Sequence, residues 1–351
     1  MSSNPMTTDS KHVHMEIDPA DNNTDDPSPS RRCNYCRTNP KKSCYCCLLL
    51  FLLLPPIIFY FYVLIYRTTL TASNDTWSEY LKTPPPEIIT ATDSLNLRAQ
   101  TLVDTSLSSL TIPYNLDVVI SGGGFLSYYY LGVSTILNSL ESLNKTKLHR
   151  FSGASAGAQA PFKNVVLGNE LHIQSSLSYA LIFSSYSNKF DNMLNAAITA
   201  DFHWRTLAEY LEDLCTPEIL EALTKKVYVS ITLLFPWSNK LISIYTSKEQ
   251  AQKAFLATGS MFINYEGNLA IDGGATDCAP RFKVGKRSQL IVELLNSELP
   301  MRNVVSFKGL AEVLKAVEMG QDDFVEFLKG GEKKNAFMFV DERESWGTFT
   351  C

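Results

Sequence analysis

The sequence predicts an α/β domain, in which helices flank a central sheet, preceded by one transmembrane helix. Three observations lead to this fold class. Residues 47–66 form an uncharged apolar run that is long enough to cross a bilayer. After Pro113, short apolar strand patterns alternate with amphipathic helical patterns. Two of the predicted turns, at 122–124 and 153–157, are rich in glycine.

Length and composition exclude several classes of protein. The chain has 351 residues, of which 45% are hydrophobic and 19% are charged. These proportions argue against a disordered chain, a small disulfide scaffold and a polytopic channel. The formal net charge of −5 also argues against a nucleic-acid-binding protein.

The N-terminal part predicts a tail and a membrane anchor. Residues 1–46 are polar and end in a basic, cysteine-rich juxtamembrane stretch, so we interpret them as a disordered cytosolic tail. We interpret residues 47–66 as the transmembrane helix. Pro55 and Pro56 within it indicate a kinked span, with a shallow re-entrant hairpin as the alternative. Because the basic residues precede the span, we expect a type II protein whose main domain lies across the membrane from the cytosol.

The remaining chain divides into three regions. Residues 67–113 are polar and proline-containing and predict a stalk or linker, 114–285 form the main domain, and 286–351 form a C-terminal extension with helices packed on it. Apolar runs bounded by turn formers predict strands, and apolar residues at helical spacing predict helices. In chain order these are a strand at 116–120, a helix over 129–140, a strand at 149–152, a helix after 157, strands at 227–235, 241–245, 269–271 and 289–294, and a helix over 310–328.

Residues 153–157 (Gly-Ala-Ser-Ala-Gly) match the nucleophile elbow pattern G-x-S-x-G. This pattern predicts a strand that turns sharply into a helix and presents Ser155 as a nucleophile, while Gly153 and Gly157 allow close backbone packing. A small-residue turn without catalytic function is the alternative, because the pattern also occurs by chance. The strand and the helix predicted on either side favour the elbow.

Gly122, Gly123 and Gly124 follow the first predicted strand and precede a helix. A dinucleotide-binding turn is considered first, but its G-x-G-x-x-G fingerprint is incomplete because Ser127 occupies the third glycine position. We therefore expect the backbone N–H groups of these three glycines to bind an oxyanion.

Ser155 requires a base. A hydrolase triad in the order Ser, Asp or Glu, His needs a late histidine, but only His172 and His203 follow Ser155. Asp272 comes directly after a predicted strand and before two glycines, so we expect a Ser–Asp dyad with the pKa of Asp272 raised by partial desolvation. A purely structural Asp-Gly-Gly turn is the alternative. We predict neither a metal site nor a cofactor, since no suitable ligand cluster occurs in the domain.

The order of these motifs resembles the patatin-like phospholipases, and especially their adiponutrin and adipose-triglyceride-lipase branch. The resemblance covers about residues 116–328. It rests on residues 122–126, 131–133, 153–158, 272–277 and Pro280. It implies a patatin-like sheet, with Ser155 as nucleophile, Asp272 as its partner and Gly122, Gly123 and Gly124 as the oxyanion loop.

The resemblance implies a membrane-anchored lipid acyl-ester hydrolase of the phospholipase A or acylglycerol lipase type, acting on membrane lipids or neutral lipid esters. Two alternatives remain open. One is a catalytically weak or inactive protein that binds lipid or acts as a membrane scaffold, and the other is a lipid transacylase. The family's usual location, facing the cytosol on lipid droplets or the endoplasmic reticulum, is the alternative to the type II topology.

Three positions depart from the pattern of that branch. Ser127 stands where the oxyanion motif usually has its last glycine, Tyr130 where histidine is frequent, and Cys278 where asparagine is usual. If position 127 requires a positive φ, Ser127 strains the loop and weakens activity. Two apolar stretches, 177–183 and 233–237, are candidates to line an acyl groove or face lipid, with core packing as the alternative.

Overall fold

A computed structural model of the chain describes residues 79–187, 205–259, 263–282, 287–300, 307, 309–330 and 336–340. All of them belong to one compact unit, Tyr62–Cys351. The predicted tail and the predicted transmembrane helix at 47–66 lie outside the described residues. Within the described ranges, no helix combines the length and the apolar character that a membrane span needs.

The chain alternates helices and strands, as the sequence predicts. The helices are α1 (Pro86–Ser106), α2 (Ser127–Ser142), α3 (Ala156–Leu167), α4 (Asn169–Ser187), α5 (Pro217–Lys226), α6 (Lys248–Gly259) and α7 (Leu310–Leu328). The strands are β1 (Asn115–Ile120), β2 (Lys147–Ala154), β3 (Val227–Leu234), β4 (Trp237–Ile242), β5 (Ile263–Tyr265), β6 (Asn268–Asp272), β7 (Ser288–Val292) and β8 (Phe337–Val340). Helical residues also occur at 205–214.

The strands form one mixed sheet in the order β5-β6-β3-β2-β1-β7-β8, with β4 paired to β3. The central strands β3, β2, β1 and β7 are parallel, so their carboxyl ends meet at one edge. That edge is where open α/β sheets place their ligands. The remaining pairs, including β3 with β4 and β3 with β6, are antiparallel.

Alternation along β1 separates the two faces of the sheet. Leu116, Val118 and Ile120 belong to a core cluster shared with α2 and α7, whereas Val119 belongs to a smaller cluster with Phe282. Successive side chains of a strand point to opposite faces, so the helical clusters lie on one face. The second face carries the smaller cluster.

The segment interpreted as a stalk, 67–113, differs from that prediction over residues 86–106, which form α1. Its residues Ile88, Leu95, Ala99 and Val103 are fully or almost fully buried, and Arg98 forms an ion pair of 2.8 Å with α7. A narrow apolar stripe among many Thr, Ser and Asp residues produces a weak helical pattern, so the polar composition concealed this helix.

The other predicted elements differ mainly in their bounds. The strand predicted at 241–245 is β4, which begins at Trp237 because Phe235 and Pro236 form the turn of a hairpin with β3. The sequence analysis missed β5 and β8, which are only three and four residues long. The helix predicted over 310–328 is confirmed as α7.

Candidate active site at the carboxyl edge of the sheet

Ser155 occupies the sharp turn between β2 and α3, as the elbow pattern predicts. Its φ of 53° and ψ of −136° lie in a region that residues other than glycine rarely adopt, at a cost of roughly 1–3 kcal/mol. Glycine is required on both sides. A Cβ on Gly153 would lie 2.5 Å from the backbone of Gly157, and a Cβ on Gly157 would lie 2.4 Å from the carbonyl oxygen of Ser121.

Thr258, on α6, holds the strained turn in place. The backbone N–H of Ser155 donates to Thr258 Oγ1 at 2.9 Å, and the same hydroxyl donates to the carbonyl oxygen of Ser230 at 2.7 Å. Thr258 is fully buried, so no water competes for these bonds. The sequence analysis missed this residue because no local motif marks it.

The register of β3 brings Asp272 to Ser155. β4 pairs with residues 229–234 of β3 along one edge. β2 pairs with residues 227–230 and β6 with residues 231–233, so both lie end to end along the other edge. Ala154 therefore pairs with Ser230, and Asp272 pairs with the next residue of β3. The chain continues from Ala154 to Ser155, which places the serine beside the aspartate.

The carboxylate of Asp272 accepts a hydrogen bond of 2.7 Å from the backbone N–H of Gly274. Burial raises the pKa of Asp272 above its ordinary value, while the side chain of Ser155 and the N–H of Gly274 stabilise the carboxylate and offset part of this effect. The carboxylate is thus poised to accept a proton from the serine hydroxyl more readily than an exposed aspartate would be.

The three glycines of the predicted oxyanion loop are not equivalent. The N–H of Gly122 donates to the carbonyl oxygen of Cys278 at 3.0 Å, so the expectation that it binds an oxyanion is wrong. Among the described residues, no hydrogen bond occupies the N–H groups of Gly123 and Gly124. Ser121, which precedes the loop, is held in place because its Oγ accepts a hydrogen bond of 2.8 Å from the N–H of Leu294. The N–H groups of Gly123 and Gly124 are therefore the loop donors that remain available to a ligand.

The departures from the family pattern do not distort this loop. Ser127 has φ −55° and ψ −21° at the start of α2, so its position does not require a positive φ. Tyr130 is buried in the core cluster of α2. Cys278 is disulfide-bonded, and it supports the loop through its carbonyl group, while its Sγ lies 4.0 Å from the carbonyl oxygen of Gly122.

A buried polar cluster lies between α2, α3 and α4, behind the elbow. Lys163 is buried two turns after Ser155, and its Nζ donates to Ser176 Oγ at 3.0 Å. Burial lowers the pKa of Lys163 to about 7. The neighbouring His172 is also buried, and desolvation keeps its pKa well below the ordinary value. In the described part of the chain, no group of His, Cys, Asp and Glu side chains is arranged to hold a metal ion.

Comparisons with known proteins find relatives that match part of this chain. No family model matches the chain. Patatin-like phospholipase domain-containing protein 4 of Homo sapiens is 23% identical over 180 residues, which cover 49% of this chain and 69% of that protein. The omega-hydroxyceramide transacylases of Mus musculus and Homo sapiens are 29% and 27% identical over 172 and 175 residues. Those matches cover 47% of this chain but only 28% and 31% of the two transacylases.

Among solved structures, VipD from Legionella pneumophila is similar to this chain with a TM-score of 0.38 and 13% sequence identity. The match covers 66% of this chain and 69% of that chain. These curated relatives support the resemblance of this chain to the patatin-like phospholipases.

Proposed function

We propose that this chain is a membrane-anchored lipid acyl-ester hydrolase in which Ser155 is the nucleophile and Asp272 is the base. The observation that supports this proposal most directly is that the side chain of Ser155, held in a strained turn, interacts with the carboxylate of Asp272. A nucleophile and a base within hydrogen-bond reach are the minimum that covalent ester hydrolysis requires.

In the first half of the reaction, Ser155 Oγ attacks the carbonyl carbon of the ester while its proton moves to Asp272. The carbonyl oxygen becomes an oxyanion, which the N–H groups of Gly123 and Gly124 bind. Removing one such donor typically costs a factor of roughly 10²–10³ in rate. When the tetrahedral intermediate collapses, the C–O bond to the alcohol breaks and the alcohol takes the proton from Asp272.

In the second half, Asp272 accepts a proton from a water molecule that attacks the acyl-serine. The oxyanion forms again in the same loop. The bond between the acyl group and Ser155 then breaks, the serine recovers the proton, and the fatty acid leaves.

The test is lipid product profiling of the full-length chain in membranes, wild type against Ser155→Ala. We expect the wild type to release free fatty acid and the Ser155→Ala variant to lose this activity. Ser139→Ala, in the last turn of α2, is the matched control and should behave as the wild type. Equal fatty acid release by wild type and Ser155→Ala would exclude this function.

A lipid transacylase is the second candidate, because two of the curated relatives are named omega-hydroxyceramide transacylases. The same residues would serve it, with a lipid hydroxyl in place of water in the second half of the reaction. The two functions differ in their product. Transfer to an added lipid alcohol yields a new ester, whereas hydrolysis yields free fatty acid.

We further propose that residues 47–66 span the membrane and that the domain lies on its non-cytosolic side. The disulfide at Cys278 supports this side, because disulfides persist in oxidising compartments. Asn144 begins an Asn-Lys-Thr sequon and is exposed in the turn after α2. In sealed microsomes we expect protease to spare the domain and a glycosidase to shift its mobility, by less in Asn144→Gln. Digestion of the domain would instead favour the cytosol-facing location.

A further inference from the structure

The turn between β3 and β4 projects beyond the candidate site at the same edge of the sheet. β3 passes the site where Ile231 pairs with Asp272, and the strand then continues to Leu234. At about 3.3 Å per residue, the turn lies roughly 10 Å beyond the level of the carboxylate. A partner that binds this turn would therefore lie close to the entrance of the candidate site.

This turn is apolar and exposed. Phe235 is 76% exposed and Trp237 is 61% exposed, and Leu269 on the adjacent strand β6 is 40% exposed. We call Phe235, Pro236, Trp237 and Leu269 the apolar tip. No charged residue occurs between Lys226 and Lys240 in the sequence. Large aromatic side chains that project into water at one place indicate a contact surface.

We propose that the apolar tip docks on the surface of a phospholipid bilayer, so that lipid esters reach Ser155 directly from the membrane. The proposal rests on the proposed function in taking a lipid ester as the substrate. Trp and Phe are the side chains that favour the boundary between headgroups and acyl chains. Phospholipid ester groups lie at that same boundary, and the tip would bring the carboxyl edge of the sheet against it.

The shape and charge of the tip favour a lipid surface over a folded partner. A hairpin turn that exposes both aromatic side chains is a protrusion rather than a groove, and a fluid bilayer can accommodate a protrusion without a complementary pocket. Lys240, the nearest cation along β4, is already paired with Glu266 at 2.7 Å. Docking should therefore depend on apolar insertion, with little sensitivity to salt or to anionic lipid.

The first experiment reads lipid contact without catalysis. Full-length Ser155→Ala is reconstituted in phosphatidylcholine liposomes whose acyl chains carry bromine at a shallow position. The fluorescence of Trp237 is obtained by subtracting the signal of the same chain with Trp237→Phe. We expect bromolipid to quench this component, to a similar extent at low and high salt. An unquenched Trp237 component would overturn the proposal, and so would quenching that disappears at high salt.

The second experiment compares the turnover of a bilayer lipid ester with that of a water-soluble short-chain ester. We expect Trp237→Ser to lower this ratio on the order of 10-fold, which corresponds to about 1.4 kcal/mol of lost docking. Trp237→Phe keeps an apolar ring and should restore most of the ratio. Leu97→Ser is the matched control, since Leu97 is 70% exposed on α1 and does not belong to the apolar tip.

The outcomes separate the proposals. An unchanged ratio in Trp237→Ser overturns the docking, while activity towards either ester still supports the proposed function. Absence of activity towards both esters refutes the proposed function, while quenching of Trp237 still reports docking. If Trp237→Ser converts an oligomer into a monomer and the bromolipid has no effect, the tip binds a second copy of the chain and the proposal is wrong.

Discussion

Replacing Thr258 with valine should reduce catalysis without touching either member of the proposed dyad. Valine has nearly the same shape as threonine, but it cannot accept the 2.9 Å hydrogen bond from the N–H of Ser155. A buried N–H left without an acceptor costs about 1–3 kcal/mol. Ser155 also holds a backbone conformation that is strained by roughly 1–3 kcal/mol, and this strain persists only while its surroundings enforce it.

We therefore expect Thr258→Val to lower the free energy of unfolding by about 1–3 kcal/mol and to lower kcat by roughly 10–100-fold, since a displacement of 1 Å at a nucleophile costs a factor on the order of 100. KM should change much less than kcat, because Thr258 has no place in substrate binding. The assays are denaturant unfolding of the full-length chain and steady-state hydrolysis of a soluble ester.

Thr92→Val is the matched control. Thr92 is as fully buried as Thr258, but its hydroxyl donates at 2.8 Å to a carbonyl within α1, far along the chain from the site. Its replacement leaves no buried donor unsatisfied, so we expect a loss of stability below about 1 kcal/mol and an unchanged kcat. If Thr258→Val and Thr92→Val have the same kcat, the argument that Thr258 positions Ser155 is wrong.

Three further predictions follow from the buried groups. Burial raises the pKa of Asp272, and its carboxylate is the active form, so kcat/KM should fall with decreasing pH through a pKa above the ordinary aspartate value. Asp272→Asn should lower kcat/KM about 10²–10⁴-fold. A fall of kcat/KM at the ordinary aspartate pKa would contradict the assignment of Asp272 as the base. Gly320→Ala would place a Cβ 2.1 Å from the carbonyl oxygen of Tyr129, so denaturant unfolding should show that the free energy of unfolding falls by at least about 1–3 kcal/mol. The control Ser139→Ala should change the free energy of unfolding by no more than about 0.5 kcal/mol. Equal changes in the two variants would contradict the close contact of α2 and α7. The pKa of Lys163 is lowered to about 7, so above that pH the folded chain binds fewer protons than the unfolded chain. The free energy of unfolding should therefore rise with pH from about 7 towards 10, by at most about 1.4 kcal/mol per pH unit. Lys163→Met should flatten this rise, and an unchanged slope in that variant would refute the prediction.

Elements that are marked by a short local motif can be predicted from the sequence. The elbow can be predicted because Gly153 and Gly157 must lack a Cβ for the turn to close, and the same pattern positions Ser155. Asp272 can be predicted from a strand that ends in an aspartate followed by two glycines. The catalytic function of both residues stays a prediction.

Features that depend on distant parts of the chain could not be read from local patterns. The N–H of Gly122 is occupied by the carbonyl of Cys278, and Thr258 reaches the elbow from α6. No sequence motif marks either contact, because each depends on how distant segments pack around strand β3. Helix α1 was missed for a different reason, since its apolar stripe is narrow and its other faces are polar.

The measurement that tests the central claim most directly is the reaction of the full-length chain with a fluorophosphonate probe. Such probes form a covalent Oγ–phosphorus bond with an activated serine and release fluoride. We predict one adduct, located by peptide mass spectrometry on Ser155, that is absent in Ser155→Ala and strongly reduced in Asp272→Asn. A folded wild-type chain that remains unlabelled, or that is labelled equally after Ser155→Ala, would contradict the assignment of Ser155 as an activated nucleophile.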